Sequence, residues 1–293
     1  MRRLAVFLFA CLLVILSGCR SGRENRIVIA SKNFTEQIIL AELLAQHIQA
    51  RTGLAVEQRV NLGGTMICHQ ALLAGAVDLY VEYTGTALTA ILGEETIGDP
   101  AAVYRQVKAE YSRRFDVEWM EPLGFENTFA IVVRGEDARR LKLKTISDVA
   151  RYAPEWRAGF GYEFMARPDG FAGLAATYGL RFSRSPRTME LGLLYRALKE
   201  KQVDIVAGNS TDGVIAALDL VVLEDDRHYF PPYQAAAVVR RAALDRHPEL
   251  RGALDELAGL FSEEEMRRLN YAVDGQHRDV KDVVRDFRRA KGL

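Results

Sequence analysis

Ile27-Val28-Ile29-Ala30 runs directly into Ser31-Lys32-Asn33-Phe34-Thr35-Glu36-Gln37, and then into Ile39, Leu40, Leu43, Leu44 and Ile48. The first four residues are an uninterrupted apolar run of strand length, as a strand covered on both faces requires. The last five recur at helical spacing on one face. A buried strand that feeds a helix is the unit of an α/β fold. Asn33, with Glu36 three residues later, reads as a capping box, and Gly53 as the left-handed stop. The N–H groups left free at such a helix start suit an anionic group.

The same rhythm continues outward. Val56–Val60 reads as a strand, Gly63-Gly64 as a turn into a helix over Thr65–Ala74, Asp78–Val81 as a strand, and Thr84-Gly85-Thr86 as the opening of another helix. An amphipathic helix follows Pro100 as far as about Arg114, then the strand-like Val117–Leu123 and Phe129–Arg134. From Thr145 a second series begins: Arg157–Gly161, a helix after Asp169-Gly170, Arg181–Ser183, a helix near Thr188–Lys199, Val203–Ala207 and Asp219–Leu223. After Pro231-Pro232 comes a strand-like Ala235–Arg240, and Pro248 onward is helical, with a capping box at Ser262 and Glu265. Alternation of this kind predicts mostly parallel sheets covered by helices. Two such series predict two lobes with a ligand cleft between them, at the strand ends where helix starts converge.

Length and composition agree. At about 100–200 residues per domain, 293 residues hold one large or two modest domains. With 49% hydrophobic and 27% charged residues, the chain is neither disordered, collagenous nor a multi-span membrane protein. Lys and Arg together number 39, as do Asp and Glu, so no basic excess is available for a phosphate backbone and no nucleic-acid partner is expected.

Residues 1–18 stand apart. Arg2-Arg3, an apolar run from Leu4 to Leu16, and Ser17-Gly18 carry no acidic group, which is the pattern of an export signal. The apolar run falls short of the ~20 residues that cross a bilayer. Leu16-Ser17-Gly18-Cys19 resembles the bacterial lipobox, so Cys19 is the expected lipidated terminus and 19–26 a polar tether. Cys68 is then left without a partner, and its plain reading is a small buried hydrophobe.

Enzymatic signatures are absent: no G-x-S-x-G, H-E-x-x-H, P-loop or G-x-G-x-x-G after a strand occurs. His47, His69, His228, His247 and His277 lack metal-ligand spacing, and Cys68 and His69, adjacent on a helix, point about 100° apart. Neither catalysis, a metal nor a cofactor is expected. Strand ends carry instead aromatic, amide and hydroxyl groups: Tyr83-Thr84-Gly85-Thr86, Asn127-Thr128-Phe129, Asn209-Ser210-Thr211-Asp212-Gly213 and Pro231-Pro232-Tyr233.

Ser31–Gln37, Asn61-Leu62-Gly63-Gly64-Thr65, Glu82–Thr86, Glu163–Gly170 and Ser210-Thr211-Asp212-Gly213 resemble the motifs of ABC-transporter substrate-binding proteins for osmoprotectants such as glycine betaine, choline, carnitine and proline betaine. The resemblance spans essentially the whole chain after the signal. It implies a two-lobed type II periplasmic-binding-protein fold in which Phe129–Arg134 and Ala235–Arg240 are the crossing strands. Lobe 1 would be 27–128 plus 233–293 and lobe 2 would be 129–232. It also implies an extracytoplasmic, lipid-anchored monomer that presents a small zwitterion to a membrane permease.

A trimethylammonium group has a full charge, no N–H and an apolar skin, so ring faces suit it, each contributing about 0.5–2 kcal/mol. The resemblance places Tyr83, Phe129, Asn209 and Tyr233 at the cage walls; Asn209 has no ring, which points to weak affinity for simple betaine or to a bulkier, more polar betaine. Arg167 would hold the ligand carboxylate in bidentate fashion, with Thr86 and Lys32 as further donors and Gln37 and Asn127 as polar contacts. Plainer readings stand beside these: Arg167 in an ion pair with Asp169 or Glu163, Gly63-Gly64 and Gly85 as turn glycines, and Tyr80, Trp119, Trp156 and Tyr162 as core or surface aromatics. An amino acid or another polar solute on the same fold is the alternative ligand.

Overall fold

The computed structural model describes residues 26–293. The expected signal segment 1–18, Cys19 and all of the tether except Arg26 lie outside the described residues. Arg26 is not tether, because it opens the first strand and pairs with Ala55.

Among the described residues ten strands form two five-stranded sheets. The first contains β1 (Arg26–Lys32), β2 (Ala55–Gly63), β3 (Leu79–Tyr83) and β4 (Val117–Trp119), joined by β10 (Ala235–Arg240) in the order β2-β1-β3-β10-β4. The second contains β5 (Phe129–Arg134), β6 (Ala158–Phe160), β7 (Arg187–Thr188), β8 (Ile205–Asn209) and β9 (Leu220–Val222) in the order β7-β6-β8-β5-β9. Each sheet is covered on both faces, with separate apolar clusters on either side.

The expectation of mostly parallel sheets is corrected to mixed ones. β1 runs parallel to β2 and β3, and β6 parallel to β7 and β8, but β10 is antiparallel to both its neighbours and so is β5. A helical crossover returns a strand parallel to its predecessor. β5 and β10 arrive from the other lobe without such a return, and each therefore lies against the local direction. The crossing itself also differs from expectation: β5 and β10 sit within their sheets, and the chain crosses just before them, in 125–128 and 231–234. There the two passes pair, Asn127 N–H donating to Tyr233 O at 3.1 Å and Ala235 N–H to Phe125 O at 3.2 Å.

Arg181–Ser183 is not a strand; that sheet edge is instead β7, which pairs Arg187 with Gly159 and Thr188 with Phe160. The Asn33–Glu36 capping box does not form either. The first helix is Thr35–Thr52, its N-cap is an extended Phe34 with no side-chain cap, and Gly53 closes it in the left-handed conformation. The capping box at Ser262 and Glu265 is present.

Asp204 locks the second sheet. It accepts from Arg134 Nη2 at 2.8 Å and Arg157 Nε at 2.9 Å, while Arg134 Nη1 also donates to Val203 O at 2.6 Å. Burial works to raise its pKa, but the hydrogen bonds from Arg157 and Arg134 prevail and bring it down to about 2. A folded pKa below the unfolded value gives stability that is full above about pH 4 and lost as pH falls through about 2. Asp204→Asn should therefore cost roughly 2 kcal/mol near neutrality, the gap to the parent narrowing in urea melts between about pH 4 and pH 2.

Candidate ligand-binding site

The strand ends of both sheets and the two crossing passes meet around one cavity. Lys32 ends β1, Tyr83 ends β3 and Asn209 ends β8, Asn127 and Tyr233 come from the crossing, and Phe129 opens β5. Thr86 lies in the helical turn after β3, and Arg167 follows the Tyr162–Ala166 helix. Eight of the nine residues expected from sequence thus line the same cavity. Gln37 does not: it is buried behind the wall and donates to the Tyr83 hydroxyl at 3.0 Å, so its expected direct ligand contact is corrected to a supporting one.

The rings are more numerous than the sequence suggested. Phe34 stacks beside Tyr83 with centroids 6.4 Å apart, and Phe129 meets Phe164 edge-on at 4.8 Å and Tyr233 at 6.1 Å. Phe34, Phe164 and the exposed Tyr162 all line the cavity. Asn209 sits directly across from Phe129 in the β5–β8 register, leaving one wall without a ring. Beyond that wall a larger, more open chamber begins, which Asn209, Phe34 and Leu191 share with the first. Tyr80, Trp119 and Trp156 stay outside the cavity, as core or near-core aromatics.

Glycine is required where lobes and turns approach closely. At Gly85 a Cβ would lie 2.7 Å from Pro232 O and 2.8 Å from the Tyr233 ring, so glycine lets that ring rest on the turn after β3. At Gly64 it would run into the Glu163 carboxylate. Glu163, from the second lobe, accepts from the Thr65 N–H at 2.5 Å and from Thr65 Oγ1 at 3.1 Å, bridging the cleft at the start of the Thr65–Leu73 helix.

The charges are arranged in pairs. Lys32 Nζ is 2.5 Å from Glu82 Oε1 and donates to Thr65 Oγ1 at 3.0 Å, with both ionic groups buried. Arg167 donates through Nε at 2.9 Å and Nη2 at 2.5 Å to Asp169, and its guanidinium lies 4.9 Å from the Phe129 centroid. This corrects the expected bidentate grip on a ligand: the Nε–Nη2 fork is engaged by Asp169, and Nη1 lies 3.9 Å from Glu163 Oε2. Tyr233 donates to Asp169 at 2.5 Å and Tyr83 to Glu36 at 2.5 Å. Burial holds both phenols protonated, well above their ordinary pKa.

Residues 25–290 match the family model described as the substrate binding domain of the ABC-type glycine betaine transport system. The chain belongs to this family. It is 38% identical, over 97% of its length and 91% of the relative's, to a carnitine transport binding protein of Listeria monocytogenes. It is also 34% identical over 99% of its length to an ergothioneine transport permease/ergothioneine binding protein of Helicobacter pylori, of which it covers 52%. A solved structure titled as a glycine betaine/carnitine/choline ABC transporter superposes with a TM-score of 0.75 at 36% identity, covering 91% of this chain and 98% of that one. The α/β architecture of two mixed sheets is therefore the periplasmic-binding-protein fold of the family, and substrate-binding proteins of ABC importers work outside the cytoplasm. Among the described residues no helix is long and apolar enough to cross a membrane.

Cys68 bears out its plain reading. It is fully buried, and desolvation pushes its thiol up to about 12, far from a reactive thiolate. The neighbouring His69 packs edge-on against Phe115 and Tyr111, and burial lowers its pKa.

Proposed function

We propose that this protein captures a quaternary-ammonium zwitterion between its lobes and presents it to the permease of an ABC importer. One observation carries the reading: ring faces of Tyr83, Phe129 and Tyr233, drawn from the first sheet, the second sheet and the crossing, share a cavity with a guanidinium. The methylated cation lies against the rings, and the carboxylate is met by Arg167 Nη1, the remaining ammonium N–H of Lys32 and the Thr86 hydroxyl. The break at Asn209 and the chamber beyond it favour a betaine with a longer or ring-bearing tail, in keeping with relatives named for carnitine and ergothioneine. Lobes 27–128 plus 233–293 and 129–232 close on the ligand about the crossing, so only a ligand touching both lobes shifts the equilibrium. The protein works without chemistry of its own, as a monomer tethered through lipid on Cys19.

Calorimetry with glycine betaine, proline betaine, carnitine, choline and unmethylated amino acids tests this reading. Methylated cations should bind and their unmethylated counterparts should not; tight binding of an unmethylated amino acid alone would overturn it. Asn209→Tyr supplies the missing ring and closes the way to the second chamber. Affinity for glycine betaine should rise about 3- to 10-fold in that variant, while that for the bulkiest ligand falls.

A further inference from the structure

Glu36 was expected to cap a helix, yet its side chain is buried in the knot where the lobes and the crossing meet. Oε1 accepts from the Tyr83 hydroxyl at 2.5 Å and from Asn127 Nδ2 at 2.8 Å. Oε2 accepts from Thr211 Oγ1 at 2.5 Å and from Asn270 Nδ2 at 3.3 Å. The polarity of these bonds is constrained by their surroundings. Tyr83 already accepts from Gln37, so its own proton goes to Glu36, and Asn270 Nδ2 also donates to Thr211 O at 2.9 Å, which fixes that amide. Burial raises the Glu36 pKa, and the hydrogen bonds from Thr211, Tyr83, Asn127 and Asn270 act against that rise, since donors on both oxygens suit an ionised carboxylate.

Among the described residues no Lys, Arg or His forms an ion pair with Glu36, whereas the other charges buried at the cavity are matched, Lys32 with Glu82 and Arg167 with Asp169. A buried anion without a counter-charge is costly unless something cationic comes to it. Two residues that line the cavity, Asn127 and Tyr83, donate to Glu36, and of these Tyr83 brings a ring to the wall. A phenol that donates to a carboxylate has a more electron-rich ring, and the anion's own field reaches the cavity through a medium of low dielectric.

We propose that Glu36 is the buried counter-charge of the bound ligand's cationic head, acting through Tyr83, and that it sets the preference for a cation over a neutral group of the same shape. Glu36 is thus a positioning and polarising residue behind the wall. The inference rests on the aromatic-cage reading above and names the residue that gives the cage its charge selectivity.

Glycine betaine and 3,3-dimethylbutanoate have the same shape, with a carbon replacing the charged nitrogen in the second. Titration of both into the wild-type protein, Glu36→Gln and Tyr83→Phe separates charge from fit. The wild type should prefer the betaine, Glu36→Gln should lower that preference about tenfold or more with the dimethylbutanoate affinity nearly unchanged, and Tyr83→Phe should lower it about threefold. If Glu36→Gln weakens both ligands equally, or leaves the ratio intact, Glu36 only ties segments together and the proposal is overturned. Should Glu36→Gln not fold, Tyr83→Phe decides alone, an unchanged ratio overturning the proposal. A wild type with no preference for the betaine would instead sink the cage reading, and this inference with it.

Discussion

Arg167→Ala should lower affinity for carboxylate-bearing betaines by about 100-fold and destabilise the fold by roughly 3–5 kcal/mol, since breaking a buried ion pair strands the partner charge. Asp169 is 3% exposed, and without the guanidinium its side-chain donors there reduce to the uncharged hydroxyls of Tyr233 and Thr89. The two losses can be told apart. In Arg167→Ala/Asp169→Asn the orphaned charge is gone, so most of the stability should return in urea denaturation while the carboxylate affinity does not. Choline, which has no carboxylate, should lose far less than glycine betaine in both variants. A double variant that binds glycine betaine as tightly as the parent would show that Arg167 serves only Asp169 and that the carboxylate end lies elsewhere.

How such a site could be read from sequence depends on the range of the interactions that build it. The unit Ile27–Gln37 was legible because a strand buried on both faces is a continuous apolar run and the Thr35–Thr52 helix repeats its apolar face at fixed spacing. Tyr83, Asn127, Phe129, Asn209 and Tyr233 stood out because ring and amide groups at strand ends are placed by the backbone itself at the cleft edge. Phe34 lay within the quoted motif, but one aromatic among polar residues carries no mark of whether it faces a cavity or a core, and the same holds for Phe164. Glu36 shows the limit most clearly. A polar residue followed three positions later by Glu looks identical whether the acid caps its helix or turns inward. Here the outcome is set by Thr211 and Asn270, 175 and 234 residues away in the chain. The mixed sheets escaped for a similar reason: strand direction at β5 and β10 is decided by the crossing between lobes, which leaves no local periodicity.

Lys32→Met should be among the most damaging single changes to the scaffold. Glu82 is 0% exposed, and without the ammonium its donors are the Tyr80 hydroxyl at 3.0 Å and the Tyr83 N–H at 2.8 Å. Loss of the cation from so deep a pair should cost about 3–5 kcal/mol, a large share of the 5–15 kcal/mol that typically holds a domain folded. Lys32→Met/Glu82→Gln removes both charges at similar volume and should recover most of that loss in thermal unfolding. An unrecovered double variant would mean that shape at this point, and not charge, sustains the strand end. The double variant also isolates what Lys32 does for the ligand. Of its three ammonium protons, two are engaged by Glu82 and Thr65, and the Nζ lies 5.2 Å from the Tyr83 centroid. If the third proton reaches the ligand carboxylate, the refolded double variant should still bind glycine betaine about tenfold more weakly while choline is unaffected or tighter, because a competing cation has left the Tyr83 ring. Equal losses for both ligands would place Lys32 among the residues that shape the wall and take it out of contact with the ligand.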